Sequence, residues 1–174
     1  MQPGKSPDRR SGHEESPEDG ESEIVCRVTA GFNERTLMTL TAEDRTAIAE
    51  LISLHGHLFD GGELDRMHEL FTTDVTYDVT DIGGVSIEGV AALRDAALAM
   101  GELNPVGHHV TNIVLTEFAD GQVHARSKGI GIRSDGTCAS VTYEDTISRS
   151  DQGWRISHRK VLARRTPLGA PAGA

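Results

Sequence analysis

The sequence predicts an α+β domain in which a strongly curved, mainly antiparallel sheet wraps around three N-terminal helices. Three observations carry this expectation. Apolar residues recur at helical spacing from about Thr41 to Phe59. Four long alternating segments fill the second half of the chain. Between them stand Ala119-Asp120-Gly121, Ser134-Asp135-Gly136 and Ser150-Asp151-Gln152-Gly153, with the Asp and Gly that tight hairpins favour. Helices followed by a β-meander is an α+β order. A sheet curved around a helix encloses a conical cavity, lined by the polar residues that face inward.

Residues 1–38 read as a disordered acidic tail, with Pro3, Pro7, Pro17 and the acidic run from Glu14 to Glu21. Translation starting at Met38 is an alternative account of that tail. The domain is expected over 39–166, followed by a flexible end over 167–174. Thr41 to Asp44 forms a capping-box pattern with Asp in the Glu/Gln position. Ile48, Leu51, Ile52, His55, Leu58 and Phe59 then continue a helix that Gly61-Gly62 ends. A short second helix is expected from Glu63 to Phe71, then a strand through Val75, Tyr77 and Val79. A Gly83-Gly84 turn leads to a third helix from Glu88 to about Met100. Strands are expected over 106–118, 122–133, 137–149 and 154–164.

Composition narrows the function. With 174 residues the chain suits one ordinary domain. A net charge of −10 argues against nucleic acid, which needs a clustered basic surface. The two cysteines, Cys26 and Cys138, do not suggest a disulfide framework. No stretch approaches the roughly 18 apolar residues of a membrane span, and no apolar leader is apparent. A cytoplasmic protein is the expectation.

The segment Gly107-His108-His109-Val110-Thr111-Asn112 opens the first long strand. Unbroken alternation puts His108, Val110, Asn112 and Val114 on one face, and His109, Thr111 and Ile113 on the other. A strand that aims an imidazole and a carboxamide inward reads as the wall of a pocket. The outward stripe of His109, Thr111, Ile113 and Leu115 reads as a surface for a second copy, predicting a homodimer.

Several pieces together resemble the SnoaL-like branch of the NTF2-like superfamily. They are Leu58-Phe59-Asp60 with Gly62 and Leu64, Leu70 to Val75, and Glu88-Gly89 with Leu93. The others are His108 to Asn112, Asp120-Gly121 with Ala125, and Tyr143 to Thr146 leading to Gly153-Trp154-Arg155-Ile156. They span about residues 39–164. The resemblance implies the NTF2-like cone and a catalytic vocabulary: an Asp ending the first helix, a Tyr about five residues earlier, and a His on the first long strand. Asp60 and His108 match the first and last, while the tyrosine position falls on His55. Either His55 supplies the acid function or the chemistry differs from that of the dehydratases.

The residues carry a physical case beside the resemblance. An Asp at the mouth of an apolar cone is desolvated, which suits a general base, and a histidine beside it donates or accepts. Asp60 also precedes Gly61-Gly62, where capping the next helix is open to it. Asn112, Tyr143, Arg159 and Tyr77 are the substrate-binding candidates. Tyr143 could supply the missing phenol and Arg159 could meet an anionic group, although a solvated edge arginine fits Arg159 as well. His57, His68, His124 and His158 read as surface. The eight histidines show no metal-ligand spacing, and no phosphate loop or nucleophile elbow occurs, so no metal or cofactor is expected.

Two functions follow. One is a cofactor-independent lyase or isomerase performing dehydration, isomerisation or cyclisation. Its substrate would be a mostly apolar polyketide, steroid-like or aromatic molecule, and epoxide opening is a variant built from the same parts. The other is a non-catalytic ligand-binding or oxygenase-partner module, in which neighbouring side chains fill the His108 face.

Overall fold

The computed structural model describes residues 39–118, 121–163 and 165. The expected acidic tail, Cys26 and the C-terminal tail lie outside these residues. Helix α1 spans Ala42–Asp60 and starts at a complete capping box. The Asp44 backbone N–H donates to Thr41 Oγ1 at 3.1 Å, and Thr41 N–H returns a bond to Asp44 Oδ2 at 3.2 Å. The other oxygen of Asp44 accepts from Arg149 and from the Trp154 indole. One short carboxylate thus starts the helix and ties it to a distant hairpin. At the other end the Gly61 N–H bonds the His57 carbonyl, and Gly62 turns the chain at φ +69°.

Six strands form one sheet: β1 (Phe71–Asp78), β2 (Ser86–Glu88), β3 (Gly107–Glu117), β4 (Val123–Ile132), β5 (Cys138–Ser150) and β6 (Gly153–Ala163). Their order is β2-β1-β6-β5-β4-β3, antiparallel except for the β1–β6 pair. Helix α2 (Val90–Met100) joins β2 to β3. The hairpin glycines Gly136 and Gly153 adopt φ of +84° and +97°, the conformation their turns require. Helix α1 packs chiefly on β3, and α2 on β1. Between helices and sheet lies a core built on Ile48, Ile52, Leu58, Phe71, Ile147 and Ile156. Among the described residues, no helix is long and apolar enough to cross a membrane.

The expected run of three N-terminal helices is corrected in two ways. The short second helix is a 3-10 segment, Leu64–Glu69, and Phe71 already belongs to β1. The third helix begins at Val90 rather than Glu88, because Ser86–Glu88 pairs with Thr76–Asp78 as β2. A three-residue strand leaves too little alternation to be seen in sequence.

A second correction concerns β3. Thr111 pairs with Lys128 and Val114 with Arg126, so β3 carries one residue more than its partner there. Asn112 absorbs the extra residue at φ +55°. This β-bulge inverts the alternation beyond it. His108 and Val110 face the helices, and so do Ile113 and Leu115, which pack on the core. Asn112 and Val114 are exposed instead. Asn112 therefore stays out of the pocket, and Ile113 and Leu115 are not an outward stripe.

Candidate active site

Helical spacing decides what α1 shows to β3. His55 and Phe59 form one ridge, Gly56 and Asp60 the next. Gly56 is the point of closest approach: a Cβ built there would lie 2.3 Å from the His108 carbonyl oxygen. Because the helix and strand touch at that glycine, the next turn of α1 delivers Asp60 onto His108. The His108 backbone N–H donates to Asp60 Oδ2 at 2.8 Å and to Oδ1 at 3.1 Å. The ring Nδ1 lies 2.6 Å from Oδ1. A carboxylate only accepts, so Nδ1 carries a proton, and it is the neutral form of the ring that leaves a lone pair on Nε2.

His108 forms part of the wall of a cavity of about 460 Å³, whereas Asp60 stands outside its lining. The side chains are 14% and 29% exposed respectively. Asp60 is thus neither a desolvated base in the cavity mouth nor a helix cap; the 3-10 segment after it has no side-chain cap. Its carboxylate is occupied by His108, which makes it a positioning residue behind the ring.

The rest of the cavity is mostly apolar. Phe59, Val79, Ile87, Leu93, Ala97, Met100, Val141 and Val161 are among its apolar lining residues. His55, Tyr143 and Tyr77 add polar groups. His55 is fully buried, with its ring 4.4 Å from Phe59, 5.4 Å from His108 in a T-shaped contact, and 5.8 Å from Tyr143. Burial pushes its imidazole well below the ordinary value of 6.5, and the charges of Arg159 and His108 push the same way. His55 is therefore neutral. Burial raises the phenols of Tyr143 and Tyr77, so both remain protonated donors near neutrality.

Arg159 is neither a solvated edge residue nor part of the cavity lining. Its side chain is wholly buried and bonds Asp145 through Nε and Nη2, each at 2.7 Å. The guanidinium carbon sits 4.5 Å from the centre of the Tyr143 ring. The pair is cross-strand, Asp145 on β5 directly opposite Arg159 on β6. It backs the Tyr143 wall as a fixed bidentate unit.

Sequence reading missed a row of small residues on β4, of which Gly131 lines the cavity. Along the inward face of β4 stand Ala125, Ser127, Gly129 and Gly131, a run of small side chains at every second position. Gly129 is a slot for Tyr143, since a Cβ there would fall 2.4 Å from the ring. That small-residue alternation was the available signal. The β4–β5 hairpin adds Arg133, Thr137 and Cys138 to the lining. Among the described residues, no group of three His, Cys, Asp or Glu side chains is placed to hold a metal ion.

Comparison with known proteins agrees with this architecture. The family model described as a SnoaL-like domain matches residues 40–160. An NTF2-like protein with a cystatin-like fold from Novosphingobium aromaticivorans is 29% identical. That likeness covers 76% of this chain and 86% of the other, with a TM-score of 0.59. A candidate scytalone dehydratase from the same organism is 18% identical over 76% of this chain and 95% of its own, with a TM-score of 0.58. LinA is 21% identical over 76% and 94%, with a TM-score of 0.61. No curated protein sequence matches. With residues 40–160 matched by one family model, and an NTF2-like protein of cystatin-like fold among its structural neighbours, the chain belongs to the SnoaL-like family of NTF2-like proteins.

Proposed function

We propose that this protein is a cofactor-independent lyase or isomerase that removes a proton from a small, mostly apolar molecule held in the cone. One observation carries the reading: a histidine locked by a carboxylate at 2.6 Å forms part of the wall of a mostly apolar cavity of about 460 Å³. His108 Nε2 takes a proton from carbon next to a carbonyl, and the electron pair moves to the carbonyl oxygen. Asp60 keeps the productive tautomer and stabilises the imidazolium that forms. In this reading the Tyr143 phenol, which borders the same cavity, donates to the developing oxyanion. The imidazolium then returns the proton elsewhere, an isomerisation, or protonates a departing hydroxyl, a dehydration. The scytalone dehydratase assignment of one structural neighbour fits the second outcome. A non-catalytic module would have the His108 face filled by neighbours, but that face borders the cavity.

The test does not require the natural substrate. Small aromatic ketones such as tetralones are incubated with the protein in heavy water, and deuterium uptake beside the carbonyl is followed by mass spectrometry. Exchange should vanish in His108→Gln and fall by about 10²- to 10⁴-fold in Asp60→Asn, with melting temperatures close to that of the parent. Unchanged exchange in both folded variants would exclude this base.

A further inference from the structure

We infer that Arg133 captures a carboxylate at the mouth of the cavity, so that the molecules taken in here are small apolar acids. This rests on the proposed function and deepens it by naming a substrate class, through a residue the proton transfer does not use. Arg133 follows β4, lines the cavity and is exposed. The alternation that turns Gly131 toward the cavity turns Arg133 the same way. Gly131 stands opposite His108 in the β3–β4 ladder. Two residues of strand rise set the Arg133 backbone about 7 Å further along.

Its chemistry differs from that of the rest of the wall. Among the lining residues Arg133 alone carries a fixed charge, and none is Asp or Glu. Every other described arginine is tied to a carboxylate or a backbone carbonyl. The Arg133 guanidinium has no such partner among the described residues. Asp135 on the same hairpin feels its charge. Yet that carboxylate accepts from the Thr137 N–H at 2.9 Å and from the Thr137 hydroxyl at 2.7 Å instead. The turn is closed by backbone bonds, Arg133 N–H to the Thr137 carbonyl and Gly136 N–H to the Arg133 carbonyl. The side chain is therefore not needed to hold the hairpin. A guanidinium with its donor fork free, beside an apolar cavity, suits a planar anion held by two parallel hydrogen bonds.

The surroundings choose among anions. One guanidinium balances one negative charge, and no lysine or second arginine lines this cavity. A carboxylate matches that charge and that plane, whereas a phosphate ester carries nearly twice the charge and calls for further donors. Exposure of Arg133 leaves the carboxylate partly hydrated at the rim, which avoids the cost of burying it. Ile82, Met100 and Leu103 offer apolar contact to the hydrocarbon body behind it.

Two probes of nearly equal shape isolate the charge: naphthalene-2-carboxylate and naphthalene-2-carboxamide. Their affinities are measured by isothermal titration at neutral pH, without turnover. In dilute buffer the parent protein should bind the carboxylate about tenfold more tightly, the effect of one charge-assisted hydrogen-bonded pair. The gap should narrow in about 0.5 M salt, which screens an exposed pair. Arg133→Gln should erase the preference and leave carboxamide binding in place, with the melting temperature of the parent. Arg133→Lys keeps the charge without the fork and should retain part of the preference. Arg126→Gln removes a cation that faces Glu144 at 3.6 Å away from the cavity, and it should keep the full preference. A parent protein without preference would overturn the inference. So would a preference that survives in Arg133→Gln, or one lost equally in Arg126→Gln. Tighter binding of 2-naphthyl phosphate than of the carboxylate would overturn the assignment of a carboxylate. The proposed reaction stands or falls separately. Deuterium exchange that persists in His108→Gln, beside an intact carboxylate preference, removes the base and leaves this inference. Exchange that depends on His108, beside no carboxylate preference, does the reverse.

Discussion

At the scale of single residues, three imidazole and phenol groups share one end of the cavity yet are held in different states by their neighbours. His108 is oriented by Asp60, His55 is kept neutral by burial, and Tyr143 is kept protonated and lies over the Asp145-Arg159 pair. The buried imidazole has a consequence for stability. Unfolding returns His55 to its ordinary value of 6.5, far above its value in the folded protein. As pH falls below that point the unfolded chain binds a proton that the folded chain refuses. Stability therefore rises with pH through this window and is lost on acidification, by up to about 1.4 kcal/mol per pH unit for one group. Urea unfolding between pH 7 and pH 5 should show a shallower acid limb in His55→Phe than in the parent. Parallel limbs would contradict the assigned neutrality.

At the scale of elements, the site depends on how closely α1 approaches β3. Glycine in a helix interior ordinarily costs about 1 kcal/mol relative to alanine, so Gly56→Ala would stabilise an isolated helix. Here the added methyl meets a backbone carbonyl at 2.3 Å, which cannot swing aside. The expected result is the opposite sign: a loss of about 1–3 kcal/mol as α1 and β3 separate. Ketone exchange should fall with it, because the separation also opens the Asp60-His108 contact. Denaturant titration and the heavy-water assay read the two effects. Stability equal to or above the parent's would show that the contact has slack.

The elements also show where sequence was legible. The capping box at Thr41–Asp44 and the Asp-Gly hairpins depend on neighbours a few residues apart, and all are read directly from local pattern. The face of Asn112 was not legible, because alternation holds only while strand pairing is unbroken. One bulged residue inverts everything beyond it. Arg159 failed for a related reason: its partner is 14 residues away, and only the β5–β6 register places Asp145 opposite it.

For the whole molecule, the outer face of the sheet carries exposed apolar residues. Val114 and Phe118 are 62% and 48% exposed, and Ile130 on the next strand adds to them. We propose that a second copy covers this face, through residues different from those that simple alternation suggests. Light scattering after size exclusion should give twice the 18.7 kDa chain mass. Val114→Glu combined with Phe118→Ser should shift it toward the monomer. A parent protein of single-chain mass at every concentration would remove the dimer.

The sequence alone determined the α+β class, the bounds of most elements and the three residues Asp60, His108 and His55, because these rest on local periodicity and on a recognisable pattern. Tertiary structure decided what those residues are to one another. It placed Asp60 behind His108 rather than in the cavity and buried His55 without a protein partner. It sent Asn112 outward and locked Arg159 on Asp145. The reason is physical: burial, strand register and the contact distance between α1 and β3 arise from residues far apart in the chain. They come into being only when the sheet closes around the helix.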